Sequence, residues 1–285
     1  MKKIIGIFLL SAAPLMSFAQ DWHVGVFAGI SNYSGDLNEK AVDFSYTRPS
    51  LGILVRKDIN RFLTVRAQAS WGLVAAADST NSSRDLLQRN LSFKSNIWEG
   101  AIMGELNFMD LEMTGFTPYV FGGVGVFSFY PKAKNAAGEW TPLRPLRTEG
   151  QGLPQYPERP MYSLYQVSLP FGMGVKYILT EKLTLGVEVG WRKTFTDYLD
   201  DVSNTYVDEN TLLAYAGQQA VDLAFRGDET GHFLPPTSYP ADGTIRGNPD
   251  KKDWYVFSGL TLTYRIGSGS GGGRRSTNFS KCFKM

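Results

Sequence analysis

The sequence predicts an all-β chain that closes as an antiparallel transmembrane β-barrel of about eight strands, with short periplasmic turns and long extracellular loops. Three observations carry the prediction. Side chains alternate apolar and polar over strand-length segments. The connections alternate short and long. The chain opens on an export-type leader, and no later run approaches the roughly 18 apolar residues of a membrane helix.

Alternation is clearest from Leu183 to Arg192, where Leu183, Leu185, Val187, Val189 and Trp191 oppose Thr184, Gly186, Glu188, Gly190 and Arg192. Phe62 to Leu73, Ile97 to Phe108 and Tyr165 to Leu179 repeat it, and Trp22 to Ser31, Arg48 to Arg56, Thr117 to Tyr130 and Trp254 to Ile266 do so more weakly. Each segment reaches the roughly 9–11 residues a tilted strand needs to cross a bilayer. The even number suits closure.

Short connections lie at 57–61, 109–115 and 180–182. Long ones cover 32–47, 77–92, 131–163 and 199–253, the fourth containing an expected amphipathic helix from Asp208 to Phe225 over the barrel mouth. This grading separates a barrel from a soluble β-sandwich, whose strands alternate in the same way. It also places the short turns in the periplasm, where Asn60, Arg61, Asp110, Glu112, Glu181 and Lys182 become candidate partner-binding residues.

The less apolar face carries Arg56, Arg66, Glu99, Glu105, Lys176, Glu188, Arg192 and Arg265. Such charges cannot fill a sandwich core. In a barrel of about eight strands the interior holds only side chains, so the mixed signs predict a plugged lumen of ion pairs.

Lys2 and Lys3, the apolar run Ile4 to Leu10 and the small-x-small sequence Ser17-Phe18-Ala19 predict a signal peptide over 1–19, with the barrel over 20–266. Phe257-x-Gly259-x-x-Leu262-x-Tyr264 resembles the C-terminal assembly signal of outer-membrane barrels. The remaining 267–285, a Gly-rich linker and a basic end, forms an expected periplasmic tail. The lone Cys282 permits no internal disulfide, and no cysteine follows the cleavage site to accept a lipid. Removing Lys2 and Lys3 from the 29 Lys+Arg leaves 27 against 27 Asp+Glu, a balance that argues against nucleic acid as a partner. The expected location is the cell outer membrane, in contact with its lipid.

No catalytic, metal or cofactor signature emerges. Nucleophile-elbow and Walker motifs are absent, and His23 and His232 are far apart in sequence. Gly122-Gly123-Val124-Gly125 lies inside a strand and opens no helix, so it is not a phosphate loop. Asp197, Asp200, Asp201, Asp208 and Glu209 offer oxygens to a hard cation, but not at EF-hand spacing; a solvated, hydrogen-bonded loop base is the favoured reading.

Taken together, Asn32-Tyr33-Ser34-Gly35-Asp36-Leu37, Arg89-Asn90-Leu91-Ser92-Phe93, Thr117-Pro118-Tyr119-Val120-Phe121, Thr148-Glu149-Gly150-Gln151-Gly152, Leu169-Pro170-Phe171-Gly172 and Thr196-Asp197-Tyr198-Leu199-Asp200-Asp201-Val202-Ser203 resemble the PorG-like outer-membrane proteins of Bacteroidetes, in order from about Trp22 to Ile266. The resemblance implies a non-enzymatic component of the type IX secretion system. It would anchor a periplasmic ring, made of a lipoprotein and its partner subunit, to the outer membrane. The Gly-rich basic tail is not a feature of that family. The alternative is a small surface barrel whose extracellular loops bind an external ligand or cell surface. An outer-membrane lipid hydrolase or acyltransferase is a third reading, but no convincing Ser–His pair supports it.

Overall fold

The computed structural model describes residues 22–38, 44–81, 83–229 and 237–266. The expected signal peptide, the tail with Cys282, and His232 lie outside them. Ten antiparallel strands form one sheet: β1 (Trp22–Ser34), β2 (Arg48–Asp58), β3 (Leu63–Ala77), β4 (Ser92–Asn107), β5 (Phe116–Ser128), β6 (Pro131–Lys134), β7 (Trp140–Pro142), β8 (Tyr165–Ile178), β9 (Leu183–Thr194) and β10 (Trp254–Ile266). Eight close the barrel, each beside its neighbour, and the seam is the ladder from Trp22↔Ile266 to Ser34↔Trp254. The remaining two, β6 and β7, form a hairpin that extends the extracellular edge of β4.

Closure removes the open edges a bilayer cannot tolerate, because every strand in the hydrocarbon has a partner on both sides. No helix among the described residues is long and apolar enough to cross a membrane; this chain crosses with strands. Several strands run longer than the alternation predicts. β3 continues to Ala77 and β4 begins at Ser92, so this hairpin rises beyond the membrane on the loop side.

The pleat sends one side chain set outward and the other inward. Outward stand Val26, Ile53, Ile102, Val124, Val126, Val187 and Leu260, all at least half exposed. Trp22, Phe62, Phe108, Phe116, Tyr177 and Tyr264 ring the periplasmic end. Trp71, Trp98, Tyr165, Trp191 and Trp254 stand toward the other. An apolar belt between two aromatic girdles is the surface a bilayer wets. Inward-facing glycines serve packing. A Cβ on Gly172 would meet the Phe121 ring at 2.6 Å, and one on Gly174 the Tyr119 ring at 2.8 Å, so these glycines make room for two large lumen side chains.

The long loops fold into a packed extracellular cap. Tyr33, Phe93, Phe127, Phe129, Tyr162, Leu199 and Phe257 belong to one buried cluster at the mouth. Leu153, Tyr156, Val207, Leu212, Val221 and Ala224 form a second above it. The helix expected over Asp208 to Phe225 is two helices, α3 (Glu209–Ala216) and α4 (Gln218–Ala224). Gly217, at φ +84, breaks them by closing one and opening the other.

Candidate functional site

Three layers fill the barrel axis: a charged lumen, the cap above it and the periplasmic rim below.

In the lumen, β2, β3, β4, β8 and β9 bring Arg56, Arg66, Glu105, Lys176 and Glu188 together at no more than 5 % exposure each. Arg66 donates from Nη1 to Glu188 Oε2 at 2.7 Å, and its Nε lies 3.1 Å from Glu105 Oε1. Arg56 donates to that same Glu105 oxygen at 3.1 Å. Lys176 donates to the other Glu105 oxygen at 2.5 Å and to Asn107 at 2.9 Å. Tyr119 closes the set by donating to Glu188 at 2.5 Å. A higher layer holds Glu99, which accepts from Tyr255 at 2.6 Å and from Arg192 at 3.4 Å. The Arg192 guanidinium also lies 4.6 Å from the Phe257 ring centre. Buried charges persist only when paired and hydrogen-bonded. Here the pairs run across the axis, so they block it.

Arg265 departs from the expected network. It pairs at the periplasmic rim with Glu112 of the β4–β5 turn, because its position near the end of β10 lies below the buried charges.

Around the rest of that rim, Arg61 reaches Asp110 at 3.5 Å and thereby links two turns. Asp110 also caps the one-turn helix α2 (Leu111–Thr114), accepting from the backbone N–H of Glu112 and Met113. Asn60 accepts from the N–H of Phe62 and Leu63 at 2.9 Å each. The Lys182 ammonium lies 5.9 Å from the Tyr264 ring, and its carbonyl accepts from Arg265 N–H. Glu181 and Lys182 are exposed. The turns thus form a tied, charged collar. Asn60, Asp110 and Lys182 spend part of their hydrogen-bonding capacity on holding the turns.

The cap corrects the reading of the acidic cluster. Asp197, Asp200 and Asp201 are not solvated; their exposures are 3 %, 1 % and 0 %. Distant loops fold over them, which spacing along the chain does not reveal. The Tyr33 hydroxyl lies 2.5 Å from Asp200 Oδ2 and 2.9 Å from Asp253 Oδ1. A phenol has one hydrogen, so the second contact needs a protonated carboxyl as donor. Both acids are pushed well above the ordinary carboxylate range, first by burial and then by neighbouring carboxylates. Burial also raises Asp197 to about 7 and Asp201 to about 6, with Arg246 opposing the shift at Asp201. Asp201 accepts from Thr148 at 2.6 Å and Tyr162 at 2.5 Å. Glu149 accepts from Ser203 N–H at 2.9 Å and from Arg246 at 2.8 Å. Arg89 grips Asp78 bidentately, both contacts at 2.7 Å, and donates to the carbonyls of Asp36 and Arg246. Asp208 accepts from Thr211 N–H at 2.8 Å and caps α3, while Glu209 stands exposed in its first turn.

Tyr33, Asp36, Asp78, Arg89, Glu149, Arg246 and Asp253 were not among the residues singled out for chemistry. One signal did mark four of them: Tyr33, Asp36, Arg89 and Glu149 lie in segments that resemble the PorG-like proteins, and these segments converge on the cap. Among the described residues no group of three or more His, Cys, Asp or Glu is arranged to hold a metal ion.

The family model for a Domain of unknown function (DUF6089) matches residues 2–137, just under half the chain. No curated protein matches. Among solved structures the chain is similar to Neisserial surface protein A, with TM-score 0.42 and 9% identity, covering 86% of this chain and 97% of that one. It is similar to Ail, the attachment invasion locus protein of Yersinia pestis, in complex with the heparin analogue sucrose octasulfate, with TM-score 0.41 and 9% identity over 87% and 99%. The outer membrane protein OprG from Pseudomonas aeruginosa follows at TM-score 0.40 and 11% identity over 86% and 96%. By its own closed strand pairing, apolar belt and charged interior, the chain is an outer-membrane β-barrel.

Proposed function

We propose that the barrel is a non-enzymatic, non-conducting anchor of the type IX protein secretion machinery that holds a periplasmic lipoprotein ring and its partner subunit against the outer membrane. The observation that carries the reading is the sealed lumen. Arg56, Arg66, Glu105, Lys176 and Glu188 bridge the axis with buried ion pairs, so the working surfaces are the two ends. At the periplasmic end the tied turns offer a low, charged collar. Its residues have little reach, so a partner must come to the membrane surface, as a lipid-anchored ring does. Rim charges of this kind set encounter and register more than raw affinity. The secretion role itself comes from the resemblance to PorG-like proteins.

The test is gene deletion followed by measuring secretion of proteins that carry the type IX C-terminal signal. Complementation then uses an Arg61→Ala, Glu112→Ala, Lys182→Ala variant and, separately, a chain lacking 209–224. Lost secretion on deletion, with failure of the turn variant, supports the anchor. Intact secretion after deletion rejects it.

A second reading has its own observation. The loop residues 143–162, 196–229 and 237–253 are packed and hydrogen-bonded rather than loose, as an external binding surface requires. If only the chain lacking 209–224 fails to complement, that surface-binding reading replaces the first.

A further inference from the structure

Lys94, Lys132 and Lys134 stand together on the outer face of the extracellular extension of the sheet. Lys94 and Lys132 are direct partners across the β4–β6 ladder, so their side chains emerge on the same face. Lys134 follows two residues along β6 and pairs with Trp140 of β7. The Lys94 ammonium lies 3.6 Å from the Trp140 ring centre, that of Lys134 5.6 Å from it, and that of Lys132 5.4 Å from the Tyr130 ring.

Like charges placed directly opposite on a sheet destabilise it. Nearby carboxylates do not relieve this group. Glu139 is within 3.3 Å of the Asn135 amide, Glu229 is taken by Arg226, and no ion pair reaches the three lysines among the described residues. The aromatic rings supply partial compensation only. The cluster is therefore an excess of positive charge that the described residues leave unbalanced.

Its position says what balances it. Lys94 shares the outward face of β4 with Trp98, Ile102 and Leu106, exposed by 63%, 62% and 47%. Trp98 belongs to the outer aromatic girdle. Lys94 is four residues further out, about 13 Å along the strand. With the strand tilted by about 40° this is a rise of roughly 10 Å above the girdle, the level of the outer-leaflet headgroups, on the side of the barrel that lipid covers.

We propose that Lys94, Lys132 and Lys134, with Trp140 as an apolar shelf, bind a phosphate-bearing lipid headgroup of the outer leaflet. The site is independent of any secretion role; it needs only the barrel in its membrane. Two or three ammonium groups around one phosphate suit its charge and its several acceptor oxygens, and the indole packs against the lipid's apolar or sugar portion.

The test uses the full chain folded in neutral detergent micelles, with bisphosphorylated lipid A as probe and native mass spectrometry as readout. The wild type should retain the lipid, and Lys94→Gln/Lys132→Gln/Lys134→Gln should bind it on the order of a hundredfold more weakly. Lipid A without phosphates should bind both proteins equally and weakly. Heat-modifiable gel mobility shows whether the variant is folded. Inorganic phosphate or a soluble acidic polysaccharide at the lipid's concentration should not displace it; displacement by either assigns the patch to a soluble anion and overturns the lipid. Unchanged retention by the folded triple variant also overturns it. Single Lys94→Gln gives a second measurement. It should raise the unfolding midpoint in lipid-free micelles, because it removes a like-charge pair, and should shrink the gain that lipid A provides. A lowered midpoint without lipid would refute the unbalanced-charge argument.

Discussion

Arg66 and Glu188, 122 positions apart in the chain, meet at 2.7 Å across the barrel axis. Neither strand of β3 nor β9 touches the other in the sheet, so only closure brings them together. Their contact is the centre of a set in which two carboxylates, Glu105 and Glu188, serve three cations.

Glu105→Gln should therefore be costly. It strips charge from the residue that Arg56, Arg66 and Lys176 share, and a buried partner left unpaired costs about 3–5 kcal/mol. Urea unfolding of the barrel in micelles should show a correspondingly lower midpoint. A midpoint within error of wild type would mean that water reaches the lumen and screens the cations.

Facing can be tested on adjacent residues of β9. Val187 is 54% exposed on the lipid side, whereas Glu188 points inward. Val187→Arg should impair assembly, at about 2–4 kcal/mol for a cation near mid-bilayer. Ala241→Arg, at an exposed loop position, should assemble normally. Equal yields of folded barrel from the two variants would contradict the assigned facing.

The filled axis predicts conductance. Purified protein in planar bilayers should give no stable porin-like openings, since an eight-stranded barrel lined by large side chains has no water path. Reproducible large steps would revive a transport role.

The cap should weaken as pH rises. The carboxyls of Asp197 and Asp201 titrate near 7 and 6 in the folded chain, against 3.8 ordinarily. Between about pH 4 and pH 7 the folded cap thus holds protons that the unfolded chain has released. The contribution of these two groups to stability then falls with rising pH across this window and levels off above it. Limited proteolysis of the 196–229 loop should be slower at pH 5 than at pH 8. Asp197→Asn should flatten that difference and protect the loop at pH 8. The same pH dependence in the variant would remove Asp197 as a contributor.

The eight barrel strands and their facing are legible from local pattern, whereas the hairpin of β6 and β7 lies in a segment that reads as a loop. Leu183 to Arg192 alternates without interruption, and alternation is a property of the extended backbone alone, so it survives without any knowledge of neighbours. The graded connections likewise reported which end is which. The charged residues of the inner face were legible for the same reason, from Arg56 to Arg192. What each of them meets depends on closure of the barrel. Arg265 follows the alternation yet pairs at the rim with Glu112, because its height on the closed barrel, not its parity, selects its partner. Asp200 lies in a loop that reads as solvated, but Tyr33, 167 positions earlier, and Asp253 bury it. Lys94 and Lys132 become neighbours only through the register of a short hairpin on β4. Pairing, register and loop packing depend on contacts between residues far apart in the chain, and a local pattern carries no record of them.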